Sequence, residues 1–303
     1  MNLIKTWLQA ARLRTLPLAA SGVLVGASLA WYQGAFSYTI SALALLTALW
    51  LQILSNFAND YGDFSKGTDN EDRVGPERTV QSGAITPLQM RWAMAIAALL
   101  SFLSGMLLIY KAAMVAGPQV WWFFGTLGIL AIAAAIMYTV GKRAYGYSGF
   151  GDVMVFLFFG LASVLGTYYL NASMVSHEAI YLAVGIGVLS SGVLNLNNMR
   201  DMDNDIASGK RTLAAKLGFA KAKKYHSFLI MLGIVSIVGM SFPLHFNKWV
   251  YALLMIPTIL LLKDLQKIQR TKDKTTLDPY LKKLSISTFL MSVTFVISLI
   301  ITK

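Results

Sequence analysis

A chain of 303 residues that is 56% hydrophobic, only 13% charged and free of cysteine cannot clothe a soluble globule of this size, and it reads as a polytopic membrane protein. Without cysteine there are no disulfides, no thiol catalysis and no thiolate metal sites. The formal charge of +12 reads as membrane topology and not as a nucleic-acid surface.

From the N-terminus, residues 3–14 set Trp7, Leu8 and Leu13 beside Lys5, Arg12 and Arg14, the pattern of an interfacial helix leading into an uncleaved first span. Apolar stretches able to cross the bilayer core fall near 16–33, 37–58, 92–110, 119–140, 150–170, 179–198, 226–244, 249–262 and 284–301. That makes nine. The eighth is short and contains Pro257, so it is expected to be tilted, kinked or partly interfacial; without it the count is eight.

With the N-terminus inside, 23 of the 26 basic residues fall on the inner segments, leaving Lys111, Lys248 and Lys303 outside. Short basic loops stay cytoplasmic, which predicts an inner N-terminus and an outer C-terminus. Long inner loops near 60–91 and 199–225 resemble each other. Each runs from an Asn/Asp cluster through a Gly-containing turn to an Arg-Thr-apolar step, Arg78-Thr79-Val80 and Arg211-Thr212-Leu213. No linker divides the chain. The expectation is one all-α transmembrane domain over 1–303, built as two four-helix repeats plus a ninth helix.

The chemistry lies in the two acidic clusters. Asn56, Asp60 and Asp63 stand at i, i+4 and i+7 at the end of the second span, with Asn59 and Asp63 as a second i, i+4 pair. Asn197, Asp201 and Asp205 follow the same logic after the sixth. Facing one another, the rows offer hard oxygen ligands suited to Mg²⁺. The plainer reading is solvated helix ends, but helix C-termini disfavour carboxylates by a few tenths to about 1 kcal/mol, so placing two matched clusters there calls for a cation. Arg73, Arg78, Lys142, Arg143, Lys210 and Arg211 lie on the same side, and a metal-bound diphosphate needs such partners. The basic run 263–283 reads as topology or anionic-lipid contact.

A third element is the step from Tyr138 to Lys142-Arg143, followed by Tyr145, Tyr147 and Asp152. Its glycines also fit a simple turn and its aromatics an interfacial belt. Asp152 is either a helix-entry residue or a polar group aimed at an acceptor. His177, His226 and His245 show no metal spacing, and no P-loop or dinucleotide fingerprint occurs. Gly22 and Gly26 form a small-xxx-small pair, as in helix packing.

Together the motifs Asn59-Asp60-Tyr61-Gly62-Asp63, Tyr138 to Lys142-Arg143, and Asp201 to Asp205 resemble the UbiA superfamily of intramembrane aromatic prenyltransferases. Gly67 stands where the hydroxybenzoate branch has an acid, with Asp69 two residues on. That spacing, the segment Gly75-Pro76-Glu77-Arg78-Thr79-Val80-Gln81-Ser82-Gly83 and the entry Arg12-Leu13-Arg14-Thr15-Leu16-Pro17 look like the branch acting on 1,4-dihydroxy-2-naphthoate in menaquinone synthesis.

The resemblance implies two Mg²⁺ ions, held by Asn59, Asp63 and either Asp60 or Asp69 on one side and by Asp201 and Asp205 on the other. It implies a polyprenyl diphosphate bound with help from Asn56, Arg73, Tyr138 and Asn197. Arg78, Lys142, Arg143 and either Lys210 or Arg211 would take the charge growing on the leaving group, with Asp63, Asp201 and Lys142 as the catalytic set. Prenylation with loss of carboxylate would give demethylmenaquinone, in a bacterial inner membrane with the site on the cytoplasmic side and the lipid tail leaving sideways. The alternatives are another acceptor such as 4-hydroxybenzoate, or an ion-coupled transporter.

Overall fold

The computed structural model of the protein describes residues 3–71, 73–240, 242–244 and 246–303; His245 lies outside them. Helix α1 (Leu3–Ala11) is joined by a 3-10 turn, Leu13–Thr15, to α2 (Leu16–Tyr32). Then come α3 (Tyr38–Ser65), α4 (Pro87–Ala116) and α5 (Gln119–Met137). The fifth span is compound: α6 (Gly151–Val155) runs through a π-helical stretch, Phe156–Leu165, into α7 (Gly166–Ala172). After it come α8 (His177–Arg200), the short α9 (Met202–Ala207) and α10 (Leu213–Leu217), and then α11 (Phe219–Gly239), α12 (Lys248–Arg270) and α13 (Asp278–Thr302).

In hydrocarbon every backbone group must be satisfied within its own segment, and the sequence supplies starts to match. Ser37 accepts from the Ile40 N–H, Thr86 and Gln89 form a reciprocal capping box ahead of Pro87, and Ser176 accepts from Ala179. Consecutive long helices pack as neighbours from α2 to α5 and again from the fifth span through α8, α11 and α12. Helix α13 then closes the bundle against α12, α8 and α2. The main core gathers around α8, where Leu182, Ile186, Leu189 and Leu196 are fully buried. Because lipid is as apolar as leucine, close contact holds such helices together. A Cβ at Gly22 would collide with Ser163, and one at Gly26 with the Val164 carbonyl, so this pair seats α2 against the π-helical stretch as its spacing suggested.

Among the described residues, eight helices are long and apolar enough to cross a membrane. The exception differs from the expected one. Residues 248–270 form a continuous helix of 23 residues with Pro257 inside it, because a polar amphipathic end prolongs the apolar run. It is α11, opening with Lys221, Lys223 and Lys224, that falls outside the eight. It still packs between α8 and α12 and turns Phe228 and Val235 outward.

Candidate active site

Helix α3 persists through the first acidic cluster, but its polar side chains divide between two faces. Asn56, Asn59 and Asp63 line a large internal cavity. Asp60 turns away. Its Oδ2 accepts from both the N–H and the hydroxyl of Thr79, which pins the loop after α3. Asp60 therefore anchors this loop and does not line the cavity.

Both acidic rows end on the same backbone device. After Asp63, Gly67 takes φ +71° and the Thr68 N–H donates back to the Asp63 carbonyl at 2.9 Å. After Asp205, Gly209 takes φ +73° and the Lys210 N–H donates to the Asp205 carbonyl at 2.7 Å. A glycine four residues past the aspartate accepts the left-handed conformation without a Cβ penalty. This explains Gly67 in place of an acid: the chain reverses there and delivers Asp69 over the helix end. In the second row α8 breaks at Asp201, yet the Asp201 and Asp205 N–H groups still donate four residues back, at 3.1 and 2.8 Å, so both carboxylates stay on one side.

Cations then tie the rows together. Arg78 reaches Asp63 Oδ2 at 3.0 Å and Asp69 Oδ1 at 3.2 Å, and Arg73 lies 3.1 Å from Asp69 and 3.9 Å from Asp201. Lys210 bridges the rows, 3.7 Å from Asp63 and 3.6 Å from Asp205. Tyr147 donates to Asp63 Oδ1 at 2.8 Å. Arg200, fully buried, forks onto both Asp201 oxygens at 2.7 and 2.6 Å and reaches Asp278 and Asn197 as well.

Burial pushes the Asp69 carboxyl up to about 6 against the pull of Arg78, and burial pushes Asp205 up to about 6 against Lys210. For Asp201 burial is outweighed by Arg200, which leaves it below the usual carboxylate range. Burial alone would lower Lys210, but Asp63 and Asp205 hold it above the ordinary lysine value.

Four candidate residues are not brought in. Gly141, at φ +93°, turns the chain outward after Tyr138, so Lys142 and Arg143 are exposed and away from the cavity. Arg211 is exposed too, and only its backbone N–H, donating to the Tyr147 carbonyl, touches the site. Lys210 is thus the inward member of its pair. Asp152 is buried beside Ser191, whose hydroxyl donates to its carbonyl, and it does not line the cavity. Tyr147 and Arg200 touch the aspartates directly and Arg12 lines the cavity, although sequence reasoning gave none of the three a role there. Position next to Asp201 was the one available signal for Arg200.

The cavity measures about 370 Å³, within the range of small-molecule sites. Its mouth carries Asn56, Asn59, Asp63, Arg78, Tyr138, Asn197 and Lys210. Its depth is lined by Leu108, Phe124, Leu127, Phe158, Phe159 and Leu170. The π-helical stretch supplies Phe158 and Phe159, an example of how π turns gather at functional sites. Such a space takes an elongated amphiphile, anionic at one end and hydrocarbon at the other.

Residues 19–293 match the model of the UbiA prenyltransferase family. The chain belongs to that family. It is 41% identical over 300 residues to the 1,4-dihydroxy-2-naphthoate octaprenyltransferase of Escherichia coli, covering 99% of this chain and 96% of that one. It is 40% identical over 302 residues to the enzyme of the same name from Haemophilus influenzae, covering 98% and 96%. Among solved structures, a UbiA homolog from Archaeoglobus fulgidus bound to DMAPP and Mg²⁺ superposes with a TM-score of 0.60 over 98% of each chain at 14% identity, a likeness of fold. The chain is therefore a membrane-embedded UbiA prenyltransferase, and the transporter reading falls away.

Among the described residues no three carboxylate or imidazole groups converge on one point, because Lys210 and the arginines supply the charge between the rows. The donor set still fits a hard divalent cation. Oδ2 of Asp69 and Oδ2 of Asp205 are buried without a hydrogen-bond partner, and every candidate donor is oxygen.

Proposed function

We propose that the chain transfers a polyprenyl group from polyprenyl diphosphate to 1,4-dihydroxy-2-naphthoate, releasing diphosphate and CO₂ and giving demethylmenaquinone at the quinol level. The cavity carries this reading, since its charged mouth and hydrocarbon depth reproduce the division of the donor. The acceptor follows from the relatives at 40–41% identity over nearly the whole chain.

Asn59, Asp63 and Asp69 from one row and Asp201 and Asp205 from the other would hold two Mg²⁺ ions. Bound there, Mg²⁺ supplies neutralisation of the charge on the leaving diphosphate. Arg78 and Lys210 meet the remaining oxygens, and Asn56, Tyr138 and Asn197 offer further donors at the mouth. Arg73 acts from behind, through Asp69 and Asp201. When the allylic C–O bond breaks, its electron pair leaves with the diphosphate, and Arg78 and Lys210 stabilise that growing charge. Tyr138, Phe158 and Phe159 face the allylic cation, and the dry bundle keeps water from it. The electron-rich ring then bonds to the prenyl carbon, and its carboxylate departs as CO₂.

The mouth is read as facing the cytoplasm of a bacterial inner membrane, with the N-terminus inside and the C-terminus outside, because the basic residues concentrate on that side. One catalytic domain accounts for the chain.

The test is purified protein with labelled polyprenyl diphosphate, Mg²⁺ and either acceptor. Prenylated naphthoquinol is expected, with little or no product from 4-hydroxybenzoate; the reverse preference overturns the acceptor and keeps the family. EDTA should stop transfer and Mg²⁺ restore it, so full turnover in EDTA removes the metal site.

A further inference from the structure

The cations of the site fall into two groups. Arg73, Arg78, Arg200 and Lys210 each face a carboxylate. Arg12, among the described residues, forms no ion pair, and its buried Nη2 has no hydrogen-bond partner. A buried guanidinium N–H left unmade is costly, and Arg12 also adopts φ +49°, ψ 62°, a left-handed conformation uncommon for arginine.

This residue sits at a boundary. It lines the mouth of the main cavity and also a second pocket of about 290 Å³ beneath α1. That pocket is walled by Leu8, Leu13 and Pro76, and it carries Arg12, Arg14, Arg73 and Arg78 against only Asp60 and Glu77. Of the arginines, Arg73 and Arg78 are already committed to Asp69 and Asp63, and Asp60 is held by Thr79. A small aromatic acid entering from the interface meets Leu8, Leu13 and Pro76 for its ring and, in Arg12, a guanidinium with a buried, unpartnered Nη2 for its anion; Arg14, also without an ion pair among the described residues, is exposed.

We infer that Arg12, at the junction of the two pockets, binds the carboxylate of the aromatic acceptor. The pocket under α1 is then the acceptor's way in, and Arg12 takes the acceptor while Arg78, on the wall between the two pockets, stays with Asp63 and the donor's diphosphate. A planar guanidinium offers a carboxylate two parallel hydrogen bonds, which lysine does not reproduce. The inference rests on the prenyltransferase reading above, and the experiment separates the two.

Steady-state kinetics with varied acceptor and varied donor are measured on wild type, Arg12→Gln and Arg12→Lys in vesicles with and without anionic lipid. Alongside, 1-hydroxy-2-naphthoate and 1-naphthol are titrated as inhibitors. The expected result is a KM for the naphthoate raised at least tenfold in Arg12→Gln and less in Arg12→Lys, with the donor KM within about twofold. The naphthoate inhibitor should lose its advantage over naphthol in Arg12→Gln and keep only part of it in Arg12→Lys. If Arg12→Gln does not fold, Arg12→Lys and the inhibitor pair decide. A raised donor KM instead, an unchanged acceptor KM, or an effect that vanishes without anionic lipid overturns the inference. Wild type that fails to prenylate the naphthoate overturns the functional reading instead.

Discussion

The two acidic rows share a backbone and differ in their partners. Asp63 and Asp205 are each followed at the fourth residue by a left-handed glycine, and each carbonyl accepts the next N–H. The first row is then neutralised by Arg73 and Arg78, which arrive on the long loop after α3. The second is neutralised by Arg200 from within its own helix and by Lys210. One row therefore depends for its neutralisation on a long loop, whereas the other draws half of its own from the helix that carries it.

The sharpest way to break this contrast is to neutralise one aspartate in each row. Asp63→Asn and Asp201→Asn should each lower prenyl transfer by roughly 10³-fold, since each removes a charge aimed at the reacting centre. Asp201→Asn should also unfold earlier in detergent than Asp63→Asn, by about 1–3 kcal/mol, because the buried Arg200 keeps only the partly exposed Asp278 and Asn197, whereas Arg78 and Lys210 keep the buried Asp69 and Asp205. Equal thermal stability of the two variants would erase the distinction. Next in size is the bridge. Lys210→Met is expected to cost about 10²-fold in turnover, while Lys142→Met stays within about twofold; a loss at Lys142 matching that at Lys210 would mean the outward turn at Gly141 does not persist in the working enzyme.

Smaller effects probe the loop. Thr79→Val leaves Asp60 with only a backbone donor, and thermal unfolding should show a loss of about 1–3 kcal/mol with turnover reduced far less than in Lys210→Met. Gly67→Ala should cost about 1 kcal/mol from the left-handed backbone alone, since a Cβ there meets nothing within 4 Å. A matching change at Gly209 should give the same figure, and a large difference between the two would break the equivalence of the rows.

The bundle was legible because hydrocarbon forces long apolar helices, and the acidic rows because carboxylates there stand out against it. What the sequence hid was direction. Asp60 and Asp63 are three residues apart on one helix, but only the tertiary position of Thr79 says which one turns from the cavity. Lys142 and Lys210 look equally suitable on charge and side of the membrane; Gly141 sends one outward, and Gly209 brings the other in. The short apolar run at 249–262 gave no sign that α12 continues to Arg270 as an amphipathic helix. Arg12 looked like one more basic residue at the membrane face, because burial of its guanidinium depends on how α1 and the loop after α3 close over it.

The graded cavity also gives the reaction a direction of traffic. Before transfer, the prenyl chain is tethered by the charge at its head, and its hydrocarbon interacts with walls no more apolar than the surrounding lipid. Cutting the C–O bond severs the tether and leaves the longest part of the substrate without any polar anchor at the mouth. On the proposed reading the neutral product can then partition into the bilayer at little cost, while the diphosphate stays beside the cations at the mouth.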